Sequence, residues 1–258
     1  MNLQGKRALV TGAARGIGRG IALALAKNGV NLVLNDLLLS PDLEITAEEA
    51  RAHGVECTII RESAFNFQLI PEIVHRAEFE LGGLDILVSN PAKDIAGYVT
   101  TLGPFDFMEV LQATVGSHFA MGQAVAKRMI QRSSGGRMVF TASVYGRLNR
   151  KKHVGYDCAK AALEQMMRVF ARELAEHNIN VNAIVPGFTD TPGERRHGDE
   201  AKLAEIAGGL PFGRGATPEE VGEMVTHIIA ADYMTGSSVV LDGGMSLADY
   251  TYSKEERK

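Results

Sequence analysis

The stretch RALVTGAARGIG, from Arg7 to Gly18, decides how this chain is read. Its first part, Arg7–Thr11, is a short apolar run, the form a buried strand takes when a glycine turn stops it. Its second part, Thr11-Gly12-Ala13-Ala14-Arg15-Gly16-Ile17-Gly18, leads into a stretch rich in Ala and Leu, Gly18–Lys27, that predicts a helix. Glycines let the backbone turn sharply and approach a bound group, and the helix points its positive end at the turn. A pyrophosphate fits such a place. The spacing is TGxxxGxG rather than GxGxxG, and a glycine cluster alone is also what any tight turn needs. Its position between strand and helix is what points to a dinucleotide.

Working outward, Asn31–Asn35 predicts a second strand, closed by Asp36. An acidic residue there accepts hydrogen bonds from the adenosine ribose hydroxyls. Apolar runs at Val55–Ile60, Leu84–Ser89, Arg137–Thr141, Asn180–Val185 and Ser238–Leu241 predict the remaining strands. Amphipathic stretches between them predict helices at Glu44–His53, Leu69–Leu81, Phe105–Arg132 and Val154–His177. Another runs from Pro218 to about Ala231, with Thr217 as its N-cap. Such alternation means an α/β fold of parallel strands joined by helical crossovers. Continuous apolar strands mean that helices cover both faces of the sheet. Residues 1–258 read as a single domain. The segment Gly187–Gly215 looks irregular, too polar and glycine-rich for a core element, and a loop of that length is expected to be a lid over the site.

Composition removes several classes of function. The 258 residues carry a net charge of −4, so a nucleic-acid role lacks its basic excess. No apolar run reaches the roughly 18 residues of a membrane span. A strand begins within a few residues of Met1, which is not how a secretory signal opens. Two cysteines, Cys57 and Cys158, are too few for a disulfide framework and fit a reducing, cytoplasmic setting. Cys158 is expected to be a small packing residue. The histidines show no HxxxH or HxH spacing, so no metal is expected. His118 and His227 read as packing or surface residues, and His153 has no ready partner.

Tyr156-Asp157-Cys158-Ala159-Lys160 opens a helix, and residues four apart share a helical face. A free tyrosine titrates near 10, and an ammonium beside it stabilises the phenolate and lowers that value. Ser143 closes the fifth strand, at the end of a parallel sheet where ligands bind. Its hydroxyl can hold a substrate oxygen beside the phenol. A Tyr-xxx-Lys pair alone is more often packing. With Ser143 and the glycine turn around one crevice, it points to hydride exchange with an alcohol/ketone pair.

These pieces, with LDILVSN from Leu84, VNAIVPGFTDT from Val181 and LDGGMSL from Leu241, resemble the short-chain dehydrogenase/reductase family from about Lys6 to about Leu247. The resemblance implies a seven-stranded Rossmann fold of strand order 3-2-1-4-5-6-7. It implies Tyr156 as general acid/base, Lys160 as its pKa modulator and a ribose ligand, and Ser143 as donor to the substrate oxygen. It puts Gly12, Arg15, Gly16, Ile17, Gly18, Asp36, Asn90, Pro186, Gly187, Thr189 and Thr191 against the cofactor, Thr191 near the nicotinamide amide. It also implies a homotetramer or homodimer built partly on the helices at Phe105–Arg132 and Val154–His177.

Three departures stand out. The family's Asn-Asn-Ala-Gly is here Ser89-Asn90-Pro91-Ala92. Its Asp-Val at the adenine pocket is Ser63-Ala64, without the carboxylate. Its fourth catalytic residue, an Asn that helps hold a water linking the lysine to solvent, aligns with Thr114 in VLQATVGSHF.

The expected cofactor is NAD(H) rather than NADP(H). Asp36 repels a 2′-phosphate, and Leu37, Leu38 and Leu39 after it cannot pair with one; Arg15 is the nearby cation. The expected substrate is a small secondary alcohol or ketone, a sugar or polyol being the leading candidate. A 3-oxoacyl thioester reductase and a non-catalytic nucleotide-binding regulatory protein remain as alternatives. Arg147, Arg150, Lys151, Lys152 and His153, with Arg195, Arg196 and His197, form two basic clusters. These either attract an anionic substrate or point into solvent, and the second is favoured.

Overall fold

The computed structural model describes residues 1–37, 41–196 and 200–247; Leu38, Leu39, His197 and the tail after Leu247 lie outside the described residues. The strands are β1 (Arg7–Thr11), β2 (Asn31–Asp36), β3 (Cys57–Arg61), β4 (Ile86–Ser89), β5 (Gly136–Thr141), β6 (Ile179–Pro186) and β7 (Ser238–Leu241). They form one sheet of order 3-2-1-4-5-6-7, every neighbouring pair parallel. The helices are α1 (Gly16–Lys27), α2 (Asp42–Arg51), α3 (Ile70–Leu81), α4 (Pro104–Leu111), α5 (Ser117–Arg132), α6 (Val154–Leu174), α7 (Glu200–Gly209) and α8 (Pro218–Ala230).

Alternate strand residues face opposite ways, so the sheet has two cores. Leu9, Val33, Leu87, Met138 and Phe140 meet α3, α5 and α6 on one face. Val10, Leu32, Leu34, Val88 and Val139 meet α1, α2 and α8 on the other. This is the Rossmann arrangement that the resemblance implies. α8 starts where its sequence says. Thr217 Oγ1 accepts from Glu220 N at 3.2 Å, and the Glu220 carboxylate accepts from Thr217 N at 2.8 Å. This reciprocal cap precedes Pro218 in the first turn.

Two expectations are modified. The long helix over Phe105–Arg132 is present, continuous from Pro104 to Arg132, but a π-helical turn, Gln112–Gly116, lies between α4 and α5. Thr114, Val115 and Gly116 are weak helix formers, and Thr114 is drawn aside by bonds to the Lys93 backbone. The segment Gly187–Gly215 is not irregular throughout. It holds a 3₁₀ turn, Glu194–Arg196, and all of α7. Phe188 and Leu210 are buried in the core, and Leu203, Ile206 and Ala207 pack against it. Positions 203, 206, 207 and 210 carry a helical apolar stripe that the surrounding glycines and charges obscure.

All strands run the same way, so Thr11, Asp36, Ser89, Thr141 and Pro186 end at one edge of the sheet. The order reverses between β1 and β4, and a ligand crevice opens at such a switch point. Among the described residues no helix is long and apolar enough to cross a membrane.

Candidate active site

The glycine turn between β1 and α1 is built as a close approach. Gly12 and Gly16 hold positive φ, 64° and 56°, which other residues rarely adopt. A Cβ on Gly18 would stand 1.9 Å from the Gly12 carbonyl oxygen. Arg15 precedes α1 in extended conformation and makes no side-chain cap, and the first turn holds no acidic residue. The first N–H groups of α1 are thus left to a ligand, and the helix end favours an anion.

Neighbouring strand ends complete this half of the site. Asp36 Oδ2 accepts from Ala14 N and Oδ1 from Leu37 N, each at 2.8 Å, which fixes the carboxylate beside the turn. Asn90 ties β4 to it, its backbone N–H donating to Thr11 Oγ1 at 3.1 Å and Nδ2 to the Gly12 carbonyl at 3.4 Å. Ile17 is half-buried against the second core. After β3, Ser63 Oγ accepts from Phe65 N at 3.2 Å and Ala64 is buried. After β6, which ends at Pro186, Gly187 N donates to the Leu241 carbonyl at 2.9 Å and Thr189 Oγ1 to the Gly187 carbonyl at 3.2 Å. Thr191 reaches back to the glycine turn, its Cβ 3.3 Å from where a Gly16 Cβ would lie. A glycine cradle, an open helix end and a fixed carboxylate fit a dinucleotide.

The other half gathers on β5 and α6. Ser143 follows β5 and is 7% exposed. It hydrogen-bonds the Tyr156 phenol, and its Oγ also accepts from Tyr145 N at 3.2 Å. Lys160 is fully buried; its Nζ donates to the Thr141 carbonyl at 2.6 Å and lies 5.5 Å from the Tyr156 ring centroid. Burial pushes the Lys160 ammonium down to about 7. Burial likewise pushes the Tyr156 phenol up to about 12. Arg150 and the Ser143 hydrogen bond pull it back, while Glu194 and Asp94 push the same way as burial. The lowered phenol expected from Lys160 is therefore not what the polypeptide alone provides, because desolvation outweighs the pull of Arg150.

Thr114 is buried in the π-turn. Its hydroxyl accepts from Lys93 N at 3.3 Å and donates to the Lys93 carbonyl at 3.4 Å, so it is spent on that backbone. The Thr114 carbonyl accepts from His118 Nδ1 at 2.7 Å. His118 is fully buried; burial and the Lys160 charge hold it down to about 3, so the ring is neutral.

Three groups escape the sequence reading. Arg150 stacks 3.7 Å from the Tyr145 ring centroid and 5.0 Å from that of Tyr156, held by Asp157 at 3.0 Å. His153, expected to lack a partner, has Asp94, Nδ1 to Oδ2 at 2.7 Å. That partner is remote in sequence and arrives only when the loop after β4 folds over α6. Cys158 is exposed rather than packed, because the sheet-facing side of α6 carries Lys160, Leu163 and Met167 instead. In the two basic clusters Arg147 pairs with Glu164 at 2.6 Å, Arg150 with Asp157 and Arg195 with Asp190 at 3.3 Å, while the Arg196 side chain and His197 lie outside the described residues. Lys151 and Lys152 are exposed.

A nucleotide cradle and a Ser–Tyr–Lys group at one sheet edge define an oxidoreductase architecture, and comparison with known proteins agrees. The family model described as Enoyl-(Acyl carrier protein) reductase matches residues 12–246. "Oxidoreductase UcpA" of Salmonella typhimurium is 34% identical over 257 residues, covering 96% of this chain and 97% of that protein. The 2-dehydro-3-deoxy-D-gluconate 5-dehydrogenase of Escherichia coli is 32% identical over 246 residues, covering 94% and 96%. A short-chain type dehydrogenase/reductase from Mycobacterium marinum superposes with a TM-score of 0.87 at 31% identity, covering 96% and 97%. The chain belongs to the short-chain dehydrogenase/reductase family, oxidoreductases that bind nicotinamide cofactors.

Proposed function

We propose that the protein is an NAD-dependent oxidoreductase that interconverts a secondary alcohol and its ketone, with a sugar- or polyol-like substrate. The observation that carries this reading is the meeting of Ser143, Tyr156 and Lys160 beside the glycine turn. A binding module has no need of a buried lysine one helical turn from a tyrosine at a crevice.

Gly12, Arg15, Gly16, Ile17 and Gly18 hold the diphosphate and Asp36 the adenosine ribose. Asn90, Pro186, Gly187, Thr189 and Thr191 line the nicotinamide side, with Ser63 and Ala64 toward the adenine. When bound, the nicotinamide accepts or supplies the hydride and, in its oxidised form, adds a positive charge. Tyr156 moves the proton at its Oη. A phenol pushed upward is protonated at neutral pH, ready to donate to a ketone oxygen held by the Ser143 hydroxyl. Lys160 binds the ribose and tunes the phenol. The relative named as a 2-dehydro-3-deoxy-D-gluconate 5-dehydrogenase supports the substrate class. Residues 187–215 act as a lid on a single domain, and the chain assembles as a homotetramer or homodimer in a cytoplasmic setting.

Turnover of sugars, polyols, hydroxysteroids and 3-oxoacyl thioesters with each cofactor tests this. Oxidation of polyols or sugars with NAD is expected. Activity confined to 3-oxoacyl thioesters with NADPH overturns the assignment.

A further inference from the structure

Asp94 and His153 form a polar pair that the roles above do not use. Asp94 Oδ2 lies 2.7 Å from His153 Nδ1. A carboxylate only accepts, so Nδ1 carries the proton and the tautomer of the ring is fixed. The two side chains are 15% and 19% exposed, so the pair sits at the edge of the interior. Asp94 Oδ1 is buried with no partner, a cost that asks for a reason.

The backbone holds the pair in place from both sides. Asp94 lies in the loop after β4 and His153 immediately before α6. Gly97 N donates to the Lys152 carbonyl at 2.7 Å, and Gly97 and His153 form an isolated parallel bridge. Lys152 holds φ at 73°, a left-handed conformation that a non-glycine residue keeps only where its surroundings enforce it. The His153 carbonyl accepts from Asp157 N at 3.0 Å, so His153 stands one helical turn below Tyr156. Asp94 is close enough to act on the Tyr156 phenol, as Glu194 does with the same sign.

We propose that His153, oriented by Asp94, determines specificity by hydrogen-bonding a second, neutral oxygen of the substrate, a hydroxyl on the carbon next to the one that reacts. This rests on the oxidoreductase reading above. Asp94 sets a carboxylate against the imidazole, and Arg150 is bound to Asp157 at 3.0 Å. An anionic substituent placed there meets like charge, whereas a hydroxyl both donates and accepts and suits the imidazole. The class of substrate is therefore a vicinal diol or polyol rather than a simple alcohol.

Butane-2,3-diol and butan-2-ol share a carbon chain and differ by that one hydroxyl. For the diol, His153→Leu is expected to lower kcat/KM about 10- to 100-fold, mainly through KM. For butan-2-ol the change stays within about twofold, since the lost bond is not made there. His153→Gln, which keeps a polar group, retains most of the diol activity, and Asp94→Asn falls between. Dinucleotide affinity and the unfolding midpoint serve as controls for the fold. Equal losses on both alcohols, or none on either, overturn the proposal. If the wild type oxidises neither alcohol, the reaction assigned above is what fails. Calorimetry of the diol on the dinucleotide-loaded protein then reads the pair by itself. Binding that His153→Leu abolishes sustains the proposal, and no binding to the wild type overturns it.

Discussion

Lys160 Nζ lies 2.6 Å from the carbonyl oxygen of Thr141, the last residue of β5. One hydrogen bond does not repay the desolvation of an ammonium, and burial holds this one down to about 7 against its ordinary 10.5. The unfolded chain therefore takes up a proton at Lys160 below about pH 10.5, the folded chain only below about 7. Stability of the dinucleotide-free protein rises with pH across that window, by at most about 1.4 kcal/mol per pH unit from this group. Lys160→Met removes the contribution. Urea denaturation at pH 7 and pH 9.5 should show the wild type gaining on the mutant; parallel changes in the two proteins would contradict it.

Asp36 is locked by two backbone N–H groups at 2.8 Å, while Arg15 is exposed and makes no cap. A fixed carboxylate reads the ribose more firmly than an exposed cation reads a 2′-phosphate. The wild type should prefer NAD, and Asp36→Ala should lower kcat/KM for NAD about tenfold while narrowing the preference. The check is kcat/KM with both cofactors on one substrate. A wild-type preference for NADP sinks the assignment, and an unchanged preference in the mutant shows that Asp36 is not its cause.

At Thr114 the hydroxyl serves the Lys93 backbone in both directions. Thr114→Val keeps the shape and strands a buried donor and acceptor, at a cost of about 1–3 kcal/mol. Thr114→Asn carries both kinds of group and should be tolerated in stability and turnover. Thermal unfolding and kcat for the three proteins decide it. Equal values for all three would mean that position 114 takes no part in holding the loop or in the proton relay.

What the sequence exposes and what it conceals follow from the range of the interactions. The strands, the glycine turn and the Tyr156/Lys160 face are legible because each depends on neighbours a few residues away. The π-turn at Gln112–Gly116 carries Thr114, whose hydroxyl meets the backbone of the distant Lys93, a contact that periodicity does not register. α7 is missed because the glycines and charges around it mask the stripe at Leu203, Ile206, Ala207 and Leu210. The Asp94–His153 pair arises only when the loops after β4 and β5 meet, and the Arg150 stack only when the loop after β5 folds back on the start of α6. The direction of the Tyr156 shift is misread for a related reason. Sequence shows the lysine four residues away but not the burial that opposes it.

The central claim is that the Tyr156 hydroxyl transfers the proton in an alcohol/ketone oxidoreduction. Tyr156→Phe removes that oxygen and leaves the ring, the glycine turn and Asp36 in place. On any substrate the wild type turns over, kcat should fall by at least about 10²-fold, up to about 10⁴-fold, with dinucleotide affinity nearly unchanged. Wild-type turnover in Tyr156→Phe would contradict the account.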